Sequence, residues 1–202
     1  MKPRAEGESH LDTELLHSTL IPQEIITRMN TPPIIIQEGM GAGVSNWRLA
    51  NAVSQIGKLG VVSETALDQI FSRRLQDGDP GGHMRRGLDH FPVPEMAERL
   101  WRRHYIPGGK SESESYKTLP KHTKDSSREL IELCIVANFV EVFLASEGHH
   151  NPVGINYLEK IQIPHLPSLC GVMLAGVGYV LMGAISCRLR PDWWHRSLTR
   201  VE

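Results

Sequence analysis

PIIIQEGMGAGVSNWRLANAVSQIGKLGVVS, residues 33–63, reads as a strand, a glycine-rich turn, an amphipathic helix and a second strand. Ile34, Ile35 and Ile36 are consecutive β-branched residues, the pattern of a strand covered on both faces. Gly39, Gly41 and Gly43 permit a tight turn, and Ser45 is placed to cap the helix that follows. Leu49, Ala50, Val53 and Ile56 recur at helical spacing, Gly57 and Gly60 bracket the exit, and Leu59–Ser63 forms the second strand. Such a unit is parallel and right-handed. Its glycines fall where the first strand ends and the helix begins, the place where α/β folds bind ligands through outward backbone amides. Two kinds of protein use such a turn: a doubly wound dinucleotide-binding sheet, and a (β/α)8 barrel holding a phosphorylated cofactor.

Outward from this unit, the Pro32-Pro33 pair stops any preceding helix. Residues 1–30 form a polar leader with a short helix expected at Gln23–Met29. Thr65–Gln76 reads as helix and ends in the turn-forming run DGDPGG at 77–82. Helices follow at His83–His90 and Pro94–His104, then a polar stretch, 106–125, expected to be a mobile surface loop. Ser126 or Ser127 caps a long apolar helix running to about Glu147. Strand patterning resumes at Val153–Leu158, a helix is expected at Ser168–Ala175, and Tyr179–Met182 is a further strand ending at Gly183. The count is four parallel strands, with a helical insertion over about 66–150.

Composition places the chain among soluble globular proteins: 202 residues, 40% hydrophobic, 22% charged and a net charge of −1. That balance argues against a general nucleic-acid or anionic-membrane binder. Three cysteines, Cys134, Cys170 and Cys187, lack metal-type spacing and read as free thiols of a cytoplasmic protein. The leader lacks the apolar core of a signal peptide. Within Leu130–Ala145, Glu132, Asn138 and Glu141 interrupt the apolar run, which makes it a buried helix and not a membrane span.

A Rossmann fingerprint needs G-x-G-x-x-G, and Gly41-Ala42-Gly43-Val44-Ser45-Asn46 lacks the third glycine. Glu64 does stand near the end of the second strand, where a ribose-binding acid would sit. In a barrel the C-terminal strand ends carry function. Here those ends are Glu38–Gly41, Ser63–Thr65, Asn156–Leu158 and Gly183, which bring glycines and small polar groups to a common rim, as a flat cofactor ring requires. Ordinary βα turns would look the same. Among the histidines, His83 reads as a helix-start residue and the His149-His150 pair as a solvated helix end without a third metal ligand in register.

The runs QEGMGAGVSNWRLANAVSQIGKLGVVS, RRLQDGDPGGHMRR, ELCIVANFVEVFLASEGH, VGINYLEKIQIPHLPSL and MLAGVGYVLMGA occur in that order over about 31–184. Together they resemble the nitronate monooxygenase (2-nitropropane dioxygenase) family, in particular a long bacterial branch with a helical insertion after the second strand. The resemblance implies an FMN-dependent (β/α)8 TIM barrel whose enzymes oxidise alkyl nitronates with O2. It places Met40 and Gly41 against the flavin, makes Asn156 the third-strand asparagine that helps bind FMN, and sets Gly183 on the same rim. Glu38 and Glu64 depart from the pattern, since glycine is expected at both. A carboxylate there calls for solvent or a partner.

The family's catalytic histidine lies beyond the fourth strand and its phosphate loops near the seventh and eighth, and no stretch here matches either. The resemblance therefore implies the N-terminal half of such a barrel, catalytically inactive, with no catalytic or metal residue assigned. An unrelated tail follows at 185–202 (ISCRLRPDWWHRSLTRVE), as a shifted reading frame would produce. Half a barrel leaves two open sheet edges, so marginal stability, self-association and little FMN retention are expected. The other readings are a non-catalytic α/β binding or interaction protein and an NAD(P)-binding Rossmann-type domain.

Overall fold

The computed structural model describes residues 33–158 and 160–183; the expected leader helix and the tail lie outside them. β1 (Ile36–Gln37), β2 (Leu59–Ser63), β3 (Val153–Leu158) and β4 (Tyr179–Gly183) form one sheet. All three pairings are parallel and the spatial order is the sequence order, β1-β2-β3-β4. A doubly wound sheet reverses its strand order at a switch point. This sheet does not reverse within the described strands.

α1 (Trp47–Gln55) crosses from β1 to β2, α5 (Arg128–Ser146) packs on β2 and β3, and α6 (His165–Leu174) leads into β4. α1 lies against α5, and α5 against α6, so the three share one face of the sheet. Val62, Val153, Ile155 and Tyr157 point into that layer and join the main core. α5 thus holds the crossover position between β2 and β3, although it falls inside the stretch expected as insertion. The added material is α2 (Leu67–Gln76), α3 (His83–Asp89), α4 (Pro94–His104) and the segment leading to Ser127. α2 and α3 also pack on α5.

Local chemistry moved several boundaries. β1 pairs over two residues, and Ile35 and Ile36 are 54% and 45% exposed, against the expectation of cover on both faces. β1 has a partner strand on one side alone among the described residues. α2 starts at Leu67, since the Glu64 amide still donates to Asn156 O at 3.0 Å and Ala66 then takes a left-handed step. α6 starts at His165, three residues early, because Pro167 is tolerated in a first turn whose amides need no helical acceptor. The 106–125 stretch holds no helix or strand, but it is tied down. Gln76 accepts from the Lys117 amide at 2.7 Å, Tyr116 donates to Asp77 at 2.9 Å, and His122 meets Asp68 at 2.8 Å.

The long helix α5 hides its polar residues by pairing them. Ser127 caps it, accepting from the Leu130 amide. Glu132 takes Arg99 and Arg128, Asn138 donates to Cys134 O and Ser168 Oγ, and Glu141 takes Arg74. Among the described residues no helix is long and apolar enough to cross a membrane.

Gly60 does not end a helix; it lies inside β2, where α1 presses on the strand. A Cβ there would stand 2.0 Å from Ala50 O, a backbone atom that cannot swing aside. Gly60→Ala is expected to lose about 1–3 kcal/mol by overpacking. Urea titration reads this directly, and an unchanged midpoint would mean that α1 and β2 are not this close.

Candidate functional site

The turn after β1 is built on Ser45, not capped by it. Ser45 is buried, donates from Oγ to Glu38 O and accepts from the Met40 amide, each at 2.9 Å. Its own amide bonds Met40 O at 3.1 Å, closing a loop in which Gly41 and Gly43 have φ of 67° and 71°. The N-cap of α1 is Asn46, one residue later, whose Oδ1 accepts from the Arg48 and Leu49 amides at 3.0 and 3.3 Å. The remaining first-turn amide, Trp47 N, donates to Glu141 Oε1 at 2.9 Å. All three leading amides of this helix are therefore occupied by the protein's own oxygens. No donor is left there for a phosphate.

Gln37 has a part that residue patterning did not suggest. Once the chain turns away after β1, the amides of β2 lose their backbone partners. Leu59 N still finds Ile35 O, Val61 N takes the Gln37 Oε1 at 3.1 Å, and Ser63 N takes Ser45 O at 2.9 Å. The edge of β2 is satisfied without a longer β1.

The segment Glu38–Met40 then folds over the sheet face opposite the helices. A Cβ on Gly39 would meet Val62 O at 2.5 Å and Asn156 Cβ at 2.9 Å. Asn156 donates its Nδ2 to Gly39 O at 2.9 Å, holding that segment against β3. Asn156 is in register with Ser63 on one side and Leu181 on the other, and Gly183 with Leu158. Met40, Gly41, Asn156 and Gly183 thus lie along one rim, on the face away from the helices, with the Met40 side chain 59% exposed.

The surface of this rim is glycine backbone beside the exposed apolar side chain of Met40. Residues 37–45 contain no lysine or arginine to meet a phosphate, and the adjacent helix start is filled. Asn156 is committed to a structural bond, so it positions the Gly39 segment through Nδ2.

Glu38 is exposed, as a carboxylate at this rim requires, whereas Glu64 points to the opposite face and is buried. Ser168 on α6 donates to its Oε1 at 3.3 Å. Ser168 also receives Asn138 Nδ2 at 3.3 Å and lies 3.2 Å from Cys134 Sγ. Burial pushes the Glu64 carboxyl up to about 7, against which the Ser168 hydroxyl works downward; the nearby Asp68 carboxylate adds to the rise. Burial likewise raises the Cys134 thiol to about 12, so it stays protonated at neutral pH and is no nucleophile. Tyr157 is raised by burial and by Glu64 and Cys134. Sequence reading marked Glu64 as out of pattern but could not link it to Ser168, 104 positions away.

His83 packs its ring 5.0 Å from Trp47, and burial and the Arg48 and Arg86 charges lower its pKa, as suits a neutral packing residue. His149 bonds Ala145 O at the end of α5. Among the described residues no group of three or more His, Cys, Asp or Glu could hold a metal ion. Fold and site define a class: a singly wound parallel α/β sheet with a glycine-built rim. No family model, curated protein or solved structure matches the chain.

Proposed function

We propose that this chain carries the first four strands, with their three crossover connections, of an FMN-dependent oxidoreductase of the nitronate monooxygenase type, related to enzymes that oxidise alkyl nitronates with O2. The observation that carries the reading is the strand order, β1-β2-β3-β4 without reversal, with the crossover helices on one face. That winding is compatible with part of a barrel and supports it over a doubly wound dinucleotide domain, whose strand order reverses. The ordered sequence runs supply the family. When bound, FMN brings the redox chemistry; these residues supply a seat for the ring. Met40 and Gly41 present an apolar, close-approach surface, and Asn156 fixes the turn that carries them. Among the described residues the rim provides no cationic side chain and, at the inward strand positions, no histidine to act as a base.

Fluorescence titration of the protein with FMN and with riboflavin tests this. The purified protein is expected to be colourless, and both flavins to bind weakly and equally, within a factor of two or three. FMN binding ten-fold tighter than riboflavin would mean the phosphate is held after all. Quenching by neither flavin, up to the solubility limit, would sink the flavin reading and leave a non-catalytic interaction protein as the better account.

A further inference from the structure

On the helix side of the same strand ends lies a second, separate cleft of about 390 Å³. It runs between the start of α2, the Pro120–His122 segment, α5 and the loop before α6, and shares no residue with the proposed flavin rim. Two features point to a ligand. Among the described residues, Glu64 lines the cleft with only one carboxyl oxygen bonded, to Ser168. Asn138, 1% exposed, also lines it, and its Oδ1 is buried without a partner among the described residues. Its amide nitrogen is already engaged by Cys134 O and Ser168 Oγ, so the orphan is an acceptor. A buried acceptor left alone is costly, and it selects for a donor. The walls beside it are apolar: Leu67, Ile161 and Ile163.

We propose that this cleft binds a small primary amine with an apolar body, its ammonium donating to Glu64 and to Asn138 Oδ1 while its hydrocarbon part lies on Leu67, Ile161 and Ile163. An ammonium carries three donors and no acceptor, which matches the Glu64 and Asn138 acceptors. A neutral hydroxyl carries one donor and adds an acceptor where none is needed. A carboxylate would meet Glu64 and Asp68 with like charge.

Binding must be coupled to the Glu64 proton, because the cation favours the ionised carboxylate. Other charged or titratable groups face that carboxyl too. Asp68 stands on α2, His122 bonds Asp68, Cys134 and Tyr157 flank it on α5 and β3, and Lys121 and Lys160 line the cleft. Cys134 and Tyr157 remain neutral below pH 9 by the directions of their shifts. The Glu64 proton should then track amine affinity near pH 7, and Glu64→Gln separates its part from that of His122, which also lines the cleft.

Benzylamine and its uncharged counterpart benzyl alcohol are suitable probes, titrated into the full chain by calorimetry at pH 6 and pH 8. Benzylamine is expected to bind at least ten-fold tighter than the alcohol at pH 8 and to lose about ten-fold at pH 6. In Glu64→Gln, which keeps the shape and the Ser168 bond, both the preference and the pH dependence should vanish. A thermal melt of the same sample establishes that the variant is folded. Equal binding of amine and alcohol, no binding of either at 10 mM, or an unchanged preference in Glu64→Gln would each overturn the proposal; in the second case the acceptors are satisfied by water. These results are independent of the flavin titration, which reads the other face of the sheet.

Discussion

Replacing Glu141 by alanine should cost about 3–5 kcal/mol, a large part of the stability of a domain this size. The carboxylate of Glu141 is nearly enclosed and does two things at once. Oε2 pairs with Arg74 on α2 at 2.5 Å, and Oε1 accepts the Trp47 amide at the start of α1 at 2.9 Å. Deletion leaves a guanidinium that is 22% exposed without its partner, and an orphan amide at a helix terminus. Arg74→Ala should cost less than Glu141→Ala, since it leaves Glu141 still bonded to Trp47. A double-mutant cycle isolates the pair. Urea unfolding that moves by less than 1 kcal/mol in Glu141→Ala would mean the ion pair is not buried as described. A second readout bears on function. With Glu141 gone, the start of α1 regains a free amide, and phosphate should stabilise the variant more than the parent protein. Equal phosphate effects on the two would show that the helix start was open to anions all along.

Glu64→Gln should make the protein more stable at pH 8, by up to about 3 kcal/mol. The folded-state pKa is raised from 4.5 to about 7, chiefly by burial. A raised acid binds its proton more tightly in the folded than in the unfolded state. Its contribution is therefore complete below pH 4.5, falls as pH rises from 4.5 to 7, and is gone above that. A gap of roughly 2.5 units corresponds to about 3 kcal/mol at 1.36 kcal/mol per unit. Glutamine is permanently neutral and loses nothing. The difference between variant and parent should thus be near zero at pH 4.5, grow to pH 7 and stay level to pH 8. Urea titrations at four pH values measure it, and parallel curves for the two proteins would show that Glu64 is not held in this environment.

Both carboxylates illustrate how far residue order carried. The strands at 59–63 and 153–158, the helix at 94–104 and the four-strand count were all legible, because each rests on local periodicity and on punctuation by glycine and proline. Glu132, Asn138 and Glu141 were legible as signs that the long helix is no membrane span. Their partners on other elements were not. Arg74, the Trp47 amide and Ser168 lie tens of residues away, and nothing local selects them. Ser45 was expected to cap α1 and Asn46 does so instead: both residue types cap well, and the loop geometry chose between them.

What the amino-acid order determined by itself is the succession of elements, the parallel sense forced by helical crossovers, and the glycine-built turn at residues 39–45. What the tertiary structure decided is what that turn can do. Its helix start is closed by Glu141 from the far side of the insertion, its backbone is pinned by Asn156, and the edge of β2 is completed by Gln37. Local sequence can show that amides are oriented outward at a helix start. Only the folded chain shows whether another part of the same molecule already holds them, since that depends on contacts across some ninety residues, as between Trp47 and Glu141.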